Sequence, residues 1–459
     1  MIFEQFYLNC LAHASYLIGS NGVAAVVDPQ RDVDIYLRAA EERGLKIEHI
    51  FETHLHADFV SGHKELAQRT GAKIYIGEQA QAKFSHVPLR DGVSVQFGAV
   101  EIRALETPGH TPESMCFVVY DREKSKEKAW AVLTGDTLFI GDVGRPDLAE
   151  GYTPQQLAGS LYDSLHQKLL TLPDDVLVYP AHGAGSLCGR NMRADRFSTI
   201  GTERLTNAAL QVKTRVDFIR ELTCNLPPRP QYFAQDAAMN REGAEPLGEL
   251  PPLPALTSDE MVEAQEHGYI ILDTRAGEDF ARGHVPGSIN IGLGGQFASW
   301  AGTLFGLRAE IVLVAESEEK ADEARMRLAR VGIEHVAGFL KGGVDGWRSA
   351  GKQVEALPQM TVAQLRDRRN QFTVLDVRRE AEWQAGHIDG ARWHALDDFS
   401  RIMPDIDRNQ PIAVHCRSGY RSVIAASMLQ RAGFRNVTDV IGGYDAWAKE
   451  EAAVASAAR

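Results

Sequence analysis

Three polar residues in ETHLHADFVSGH (52–63) could hold a metal. His54, His56 and Asp58 are two apart, so an extended loop would turn all three to one side. The next residue is Phe59, whose ring cannot ligate. Three further blocks carry donors: His110 in TPGHTPES, Asp136 in LTGDTLF and His182 in VYPAHGAGS. Each alone suits a cap, a turn or a satisfied core group. Four blocks in succession, each after an apolar stretch, point to one assembled metal site.

A second kind of chemistry lies in HCRSGYRS (415–422), between an apolar strand and a helix. Such a turn aims backbone N–H groups and the positive helix end at one point, where Cys416 stands. Arg417 and Arg421 are close in sequence. These neighbours favour a thiolate or a persulfide anion on Cys416.

The elements that must position these groups follow from the pattern around them. VAAVVDPQ (23–30), IEHIFETH (47–54), VEIRALETPGH and AWAVLTGDTLF read as buried strands, most ending at a candidate donor. Residues 1–224 form this first region. Residues 225–255 hold seven prolines and little periodicity, which predicts an extended linker. The remainder contains an internal repeat. IILDTRAGEDFARGHVPGSINI (270–291) matches TVLDVRREAEWQAGHIDGARWH (373–394), and both copies close on GG(V/Y)DxW at 342–347 and 442–447. The strand–helix alternation predicts two small α/β domains with mainly parallel sheets, over 256–353 and 358–450. The last stretch, 451–459, is expected to fray. In the first copy Ala315 stands opposite Cys416, Glu316 opposite Arg417 and Lys320 opposite Arg421, with Glu318 and Glu319 adding negative charge. That copy has no nucleophile.

The chain has 459 residues and a formal net charge of −13, without a dense Lys/Arg run, which excludes non-specific nucleic-acid binding. No stretch is apolar enough for a membrane helix, and the N-terminus lacks a basic start before an apolar run. Five scattered cysteines make a poor disulfide framework and suit a reducing, cytoplasmic setting.

On the four donor blocks, residues 1–220 resemble the metallo-β-lactamase superfamily, an αββα sandwich with metals at one edge. Within it the blocks 136–148 and 161–186 are most similar to persulfide dioxygenases. That resemblance implies one Fe(II) per chain on His54, His110 and Asp136, with His56 beside it as a neighbour or weak ligand. Asp58 and His182 would support the site. Arg145 resembles the arginine near the thiol substrate, and Cys188 and Arg190 lie in GAGSLCGRN, a loop without the tyrosine of glutathione-specific members. Hydrolytic members hold a second metal with a histidine where this chain has Phe59. The C-terminal repeats resemble rhodanese domains. The six-residue loop Cys416–Arg421 matches sulfur carriers rather than the longer phosphatase loop. The domain order is similar to bacterial persulfide dioxygenase–rhodanese fusions of sulfide detoxification. It implies a low-molecular-weight persulfide (of glutathione, coenzyme A or another thiol), O₂ and sulfite as reactants, thiosulfate as product, and a dimer or tetramer. The alternative is a two-zinc thioester hydrolase of the glyoxalase II kind with a fused sulfurtransferase; a third reading makes the tandem a persulfide-sensing module.

Overall fold

The computed structural model describes residues 1–248 and 250–457. Contacts divide the chain into two units: Met1–Leu250 with Ala329–Gly332, and the rest from Pro251.

The first unit is built on two six-stranded sheets. One runs, in chain order, through Ile2–Leu8, His13–Ser20, Val23–Val27, Lys46–Phe51, Lys73–Gly77 and Val87–Leu89. The other runs through Ser94–Phe97, Val100–Glu106, Met115–Asp121, Ala131–Gly135, Leu177–Pro180 and Ser198–Thr199. Their inner faces share one core, in which Tyr16, Ile18, Val27 and Phe51 of the first sheet meet Ile102, Phe117, Val119 and Leu133 of the second. Alternation along half-buried strands demands such a partner face. The outer faces are covered by helices, which bury Tyr36 and Leu66 on one side and Leu161, Leu165 and Phe218 on the other. The result is the expected αββα sandwich. His54, His110, Asp136 and His182 each stand a few residues beyond the end of a strand.

Residues 225–255 depart from the expected extended linker. Phe233–Glu242 is a helix, FAQDAAMNRE. Its prolines all lie outside that stretch, which is rich in good helix formers. Where fraying is expected from residue 451, the closing helix Gly443–Ala457 continues to Ala457, because EEAAVASA favours continuation; residues 458–459 lie outside the described residues.

The second unit holds two five-stranded parallel sheets of the same order. The first is Ala255–Leu256, Val336–Leu340, Ile311–Val314, Ile270–Asp273 and Ile289–Asn290. The second is Gln359–Met360, Val437–Val440, Ile412–His415, Thr373–Asp376 and Arg392–Trp393. The two copies touch: Tyr420 Oη donates to Gly292 O at 2.7 Å, and Asn290 N donates to Ser427 Oγ at 3.0 Å. Among the described residues no helix is long and apolar enough to cross a membrane.

Candidate functional site

The sequence places His54, His56 and Asp58 on one side of an extended loop. In the structure the three diverge into three buried clusters: His54 with His110 and Asp136, Asp58 with His182 and Cys188, and His56 with Asp28 and Glu52. The segment is not regular strand. The helix Phe233–Glu242 shapes it, since Asn240 Nδ2 donates to His56 O at 2.7 Å and to Phe59 O at 2.8 Å. Asn240 Oδ1 accepts from Ser61 N at 2.8 Å. A short irregular stretch pinned this way need not keep the period-two alternation of a strand.

In the first cluster, His54 Nε2 and His110 Nε2 lie 3.9 and 3.5 Å from Asp136 Oδ2. The tautomers are set from behind. Thr53 Oγ1 donates to Asp28 Oδ2 at 2.9 Å, so it accepts from His54 Nδ1–H at 3.0 Å. His110 Nδ1–H donates to the Arg145 carbonyl at 2.9 Å. Both Nε2 lone pairs are thereby turned toward Asp136. His110 Nε2 and Asp136 Oδ2 find no hydrogen-bond partner among the described residues. Two imidazoles with Nε2 turned inward, one carboxylate and orphaned inward-facing atoms fit a divalent metal ion. Gly144 is required here, because a Cβ would collide with Asp136 O and lie 2.8 Å from His110 Nδ1. Burial, then the neighbouring His56, holds His54 well below the usual histidine range. Burial would raise Asp136, but His182 keeps it well below the usual carboxylate range.

His56 turns away from this triad. Its Nε2 lies 3.2 Å from Asp28 Oδ1 and 3.8 Å from Glu52 Oε2. Burial opposes its charge, yet Asp28 raises it above the ordinary value. Asp28 itself sits at φ 51°, in the left-handed region that aspartate tolerates. The sequence reading missed Asp28, Glu52, Thr53 and His13. His13 is fully buried, with its ring 4.1 Å from Phe59 and 5.5 Å from His182. Phe59 packs between His13 and His56, 4.4 Å from the latter.

The predicted substrate residues are differently placed. Arg145 is buried, with its guanidinium on Asp147 at 2.7 and 2.9 Å, Pro227 O at 2.6 Å and Leu187 O at 3.3 Å. Four of its five N–H donors are engaged inside the unit, and its carbonyl orients His110. Arg190 bonds Leu222 O at 2.8 Å and is exposed. Cys188 is buried beside Asp58 and His182, and burial, then Asp58, raises its thiol well above the ordinary value.

At the other loop, Cys416 follows the strand Ile412–His415 and precedes the helix Tyr420–Arg431. Gly419 N donates to its Sγ at 3.1 Å. Gly443, at φ 56°, lets the neighbouring loop approach, since a Cβ would strike Cys416 O and lie 2.7 Å from Arg417 O. Arg421 is gripped by Glu382, with both Nη atoms 2.7 Å from its carboxylate. Burial would raise Glu382, but Arg421 holds it below the usual range. Arg417 is exposed, with Nε 3.3 Å from Asp445. Each expected cation therefore faces a carboxylate, Glu382 or Asp445, that the motif alone does not reveal.

A two-sheet sandwich with a His/His/Asp cluster at its strand ends defines a metallo-β-lactamase-fold metalloprotein. The metallo-beta-lactamase superfamily pattern matches residues 8–182, and the rhodanese-like domain pattern matches 257–350 and 361–450. The persulfide dioxygenase ETHE1, mitochondrial, of Bos taurus is 32% identical over 235 residues, covering 49% of this chain and 82% of that protein. A hydroxyacylglutathione hydrolase of Rhodospirillum rubrum is 32% identical over 224 residues, covering 48% and 77%. The crystal structure of a metallo-beta-lactamase from Staphylococcus aureus is 32% identical with a TM-score of 0.67, covering 74% of this chain and 98% of that one. The chain belongs to the metallo-β-lactamase superfamily, as a fusion of an ETHE1-like persulfide dioxygenase half with two rhodanese-like domains.

Proposed function

We propose that the chain oxidises a low-molecular-weight persulfide with O₂ and passes sulfur through Cys416 to make thiosulfate. The observation that carries this is the buried His54/His110/Asp136 cluster, in which His110 Nε2 and Asp136 Oδ2 find no hydrogen-bond partner among the described residues and from which His56 turns away onto Asp28. The reaction is R-SSH + O₂ + H₂O to R-SH and sulfurous acid, present as sulfite. An iron(II) ion, one per chain, would supply the O₂ chemistry and hold both reactants. The chain's own residues set the stage. Thr53 and the Arg145 carbonyl fix the two imidazoles, and His182 fixes the Asp136 carboxylate through a 2.7 Å bond to Oδ1.

At the second loop, the Cys416 thiolate attacks the outer sulfur of another persulfide and releases R-S⁻. Sulfite then attacks the Cys416 persulfide, giving thiosulfate and the thiol again. This is covalent, double-displacement chemistry. The Gly419 amide supports the anion on Sγ. Arg421, held by Glu382, and Arg417 are the cations nearest in sequence to the incoming sulfite. The enzyme is a cytoplasmic sulfide-detoxifying homo-oligomer.

The hydroxyacylglutathione hydrolase likeness keeps a thioester hydrolase in view. A bridging carboxylate is the usual device for pairing two hydrolytic metals, and here one Asp136 oxygen already accepts from His182. Purified chain should contain about one iron and consume O₂ with a persulfide. Cys416→Ser should release sulfite and no thiosulfate. Two zinc ions and no O₂ uptake would overturn the reading.

A further inference from the structure

The internal repeat leads one to expect like residues at like places, and two of its departures meet in space. Tyr420, in the Cys416–Arg421 loop of the second copy, stands opposite the exposed Glu319 of the first. Where the first copy reads GLGG (292–295), the second reads ALDD (395–398). In the structure the tyrosine lies on those glycines. Its Oη donates to Gly292 O at 2.7 Å. A Cβ on Gly295 would stand 2.5 Å from the ring carbon Cζ, and Gly295 lies outside the left-handed region. The approach of the ring is what excludes a side chain at 295. We propose that Tyr420 is a positioning residue for sulfur transfer, through which the first copy holds the Cys416 loop in shape. The proposal rests on the reading of Cys416 as the sulfur carrier.

The other anchors of the loop come from its own copy. Cys416 O accepts from Tyr444 N at 2.8 Å, and Arg417 O accepts from Asp445 N at 3.0 Å. Gly419 O accepts from Ser422 Oγ at 3.0 Å, and Arg421 is clasped by Glu382. Between these anchors Gly419, at φ 117°, turns its amide onto Cys416 Sγ. Tyr420 is the next residue, so its seat fixes the backbone on which that amide turns.

The seat itself is braced. Arg327, buried in the first copy, donates to Leu293 O at 2.7 Å and to Gly295 O at 3.2 Å. The helix Tyr420–Arg431 continues onto the same surface. Val423 packs on Gly277, where a Cβ would lie 3.1 Å from it, and Ser427 Oγ accepts from Asn290 N at 3.0 Å. Tyr420, Val423 and Ser427 are spaced i, i+3 and i+7, so one helix face makes all three contacts. Burial raises the Tyr420 hydroxyl above its ordinary value, which keeps it a donor.

The test uses the full chain with glutathione persulfide and sulfite, read as thiosulfate. Tyr420→Phe, which keeps the packing and loses the hydroxyl, should lower kcat about threefold. Gly295→Ala, which pushes the ring off its seat, should lower it about tenfold. KM should change little in either. The acid limb of kcat/KM against pH should move to higher pH, because the Gly419 amide then supports the Sγ anion less. Neither exchange alters the charged and titratable groups about the loop, which are His415, Arg417 with Asp445, and Arg421 with Glu382. In a Tyr420→Ala background, Gly295→Ala should cost nothing further, since its Cβ then has room. Additive losses, or a loss with the acid limb unmoved, would overturn the proposal and leave a merely structural contact. So would wild-type kinetics in Tyr420→Phe, the variant that keeps the test open if Gly295→Ala fails to fold. A wild type that makes no thiosulfate would remove the reading of Cys416 and the proposal with it, whereas an active wild type with unaltered variants overturns the proposal alone.

Discussion

Arg275 grips Asp273 with bonds of 3.0 and 2.6 Å and reaches Gly283 O; Arg378 grips Asp376 at 3.0 and 2.7 Å and reaches Gly386 O. Gly342 and Gly343 sit at φ 72° and 57°, Gly442 and Gly443 at 80° and 56°. The two rhodanese-like copies thus share a frame down to single dihedral angles. They part at one loop, where Ala315 with Glu316 stands against Cys416 with Arg417. Lys320 leans on Glu323 of its own helix at 2.8 Å, whereas Arg421 is clasped by Glu382 from another helix. The frame is retained without the chemistry, so the buried Asp–Arg pair and the paired glycines serve folding. In the proposed function it is the Cys416 loop that carries sulfur transfer.

The sharpest attempt to break this comparison exchanges the nucleophiles. Cys416→Ser should cut sulfur transfer by at least about a thousandfold. Adding Ala315→Cys to that variant should restore nothing, because Glu316 stands where Arg417 would be. Mass spectrometry for a sulfane adduct, with thiosulfate formation, reads both. An adduct on residue 315 with recovered turnover would show that the silent loop lacks only its cysteine.

The shared frame predicts equal costs in the two copies. Arg275→Ala and Arg378→Ala each strand a buried carboxylate and should destabilise by about 3 kcal/mol, measured by denaturant unfolding. If Arg378→Ala instead loses turnover without stability, the frame has a chemical role in one copy only.

A smaller effect is expected where the copies differ in their clasp. Glu382→Gln removes the bidentate hold on Arg421, which is only 16% exposed. Sulfur transfer should fall about tenfold in kcat with KM little changed, since a positioning contact is lost and not a substrate contact. Exchanging Glu323, the partner of Lys320, should leave transfer unaltered. A KM effect from Glu382→Gln would mean that the carboxylate faces the substrate itself.

Much of this was legible beforehand. Strand–helix alternation and the internal repeat predicted both α/β copies, and the four donor blocks pointed to a metal site; the resemblance to the metallo-β-lactamase superfamily implied the sandwich and chose His54, His110 and Asp136 among six candidate donors. What escaped has physical causes. Prolines at 227, 228, 230 and 246 masked the helix Phe233–Glu242, whose Asn240 bends the hook and sends its three members apart. Arg145 was carried over as a substrate arginine from its motif alone, and the two carbonyls it meets belong to residues 42 and 82 positions away, which no local pattern reveals. Glu382 is unremarkable on its own short helix, and only tertiary packing brings it to Arg421.

The least of the expected differences lies in the histidine of each Gly-His turn. His284 is buried, stacked 3.8 Å on Phe280, and its Nδ1–H donates to Phe280 O at 2.9 Å. His387 stacks 3.6 Å on Trp383 and is exposed. Burial lowers His284 from 6.5 to about 4. As pH falls from about 6.5, the unfolded chain takes a proton that the folded chain refuses, so stability is lost until about pH 4. The slope from this group is at most about 1.4 kcal/mol per pH unit. His284→Gln should flatten the decline between pH 7 and 5, read by tryptophan fluorescence of the full chain in denaturant. The same exchange at exposed His387 should leave the decline steeper than His284→Gln does. An unaltered slope in His284→Gln would mean that acid sensitivity resides elsewhere and that the silent copy is no more pH-bound than its partner.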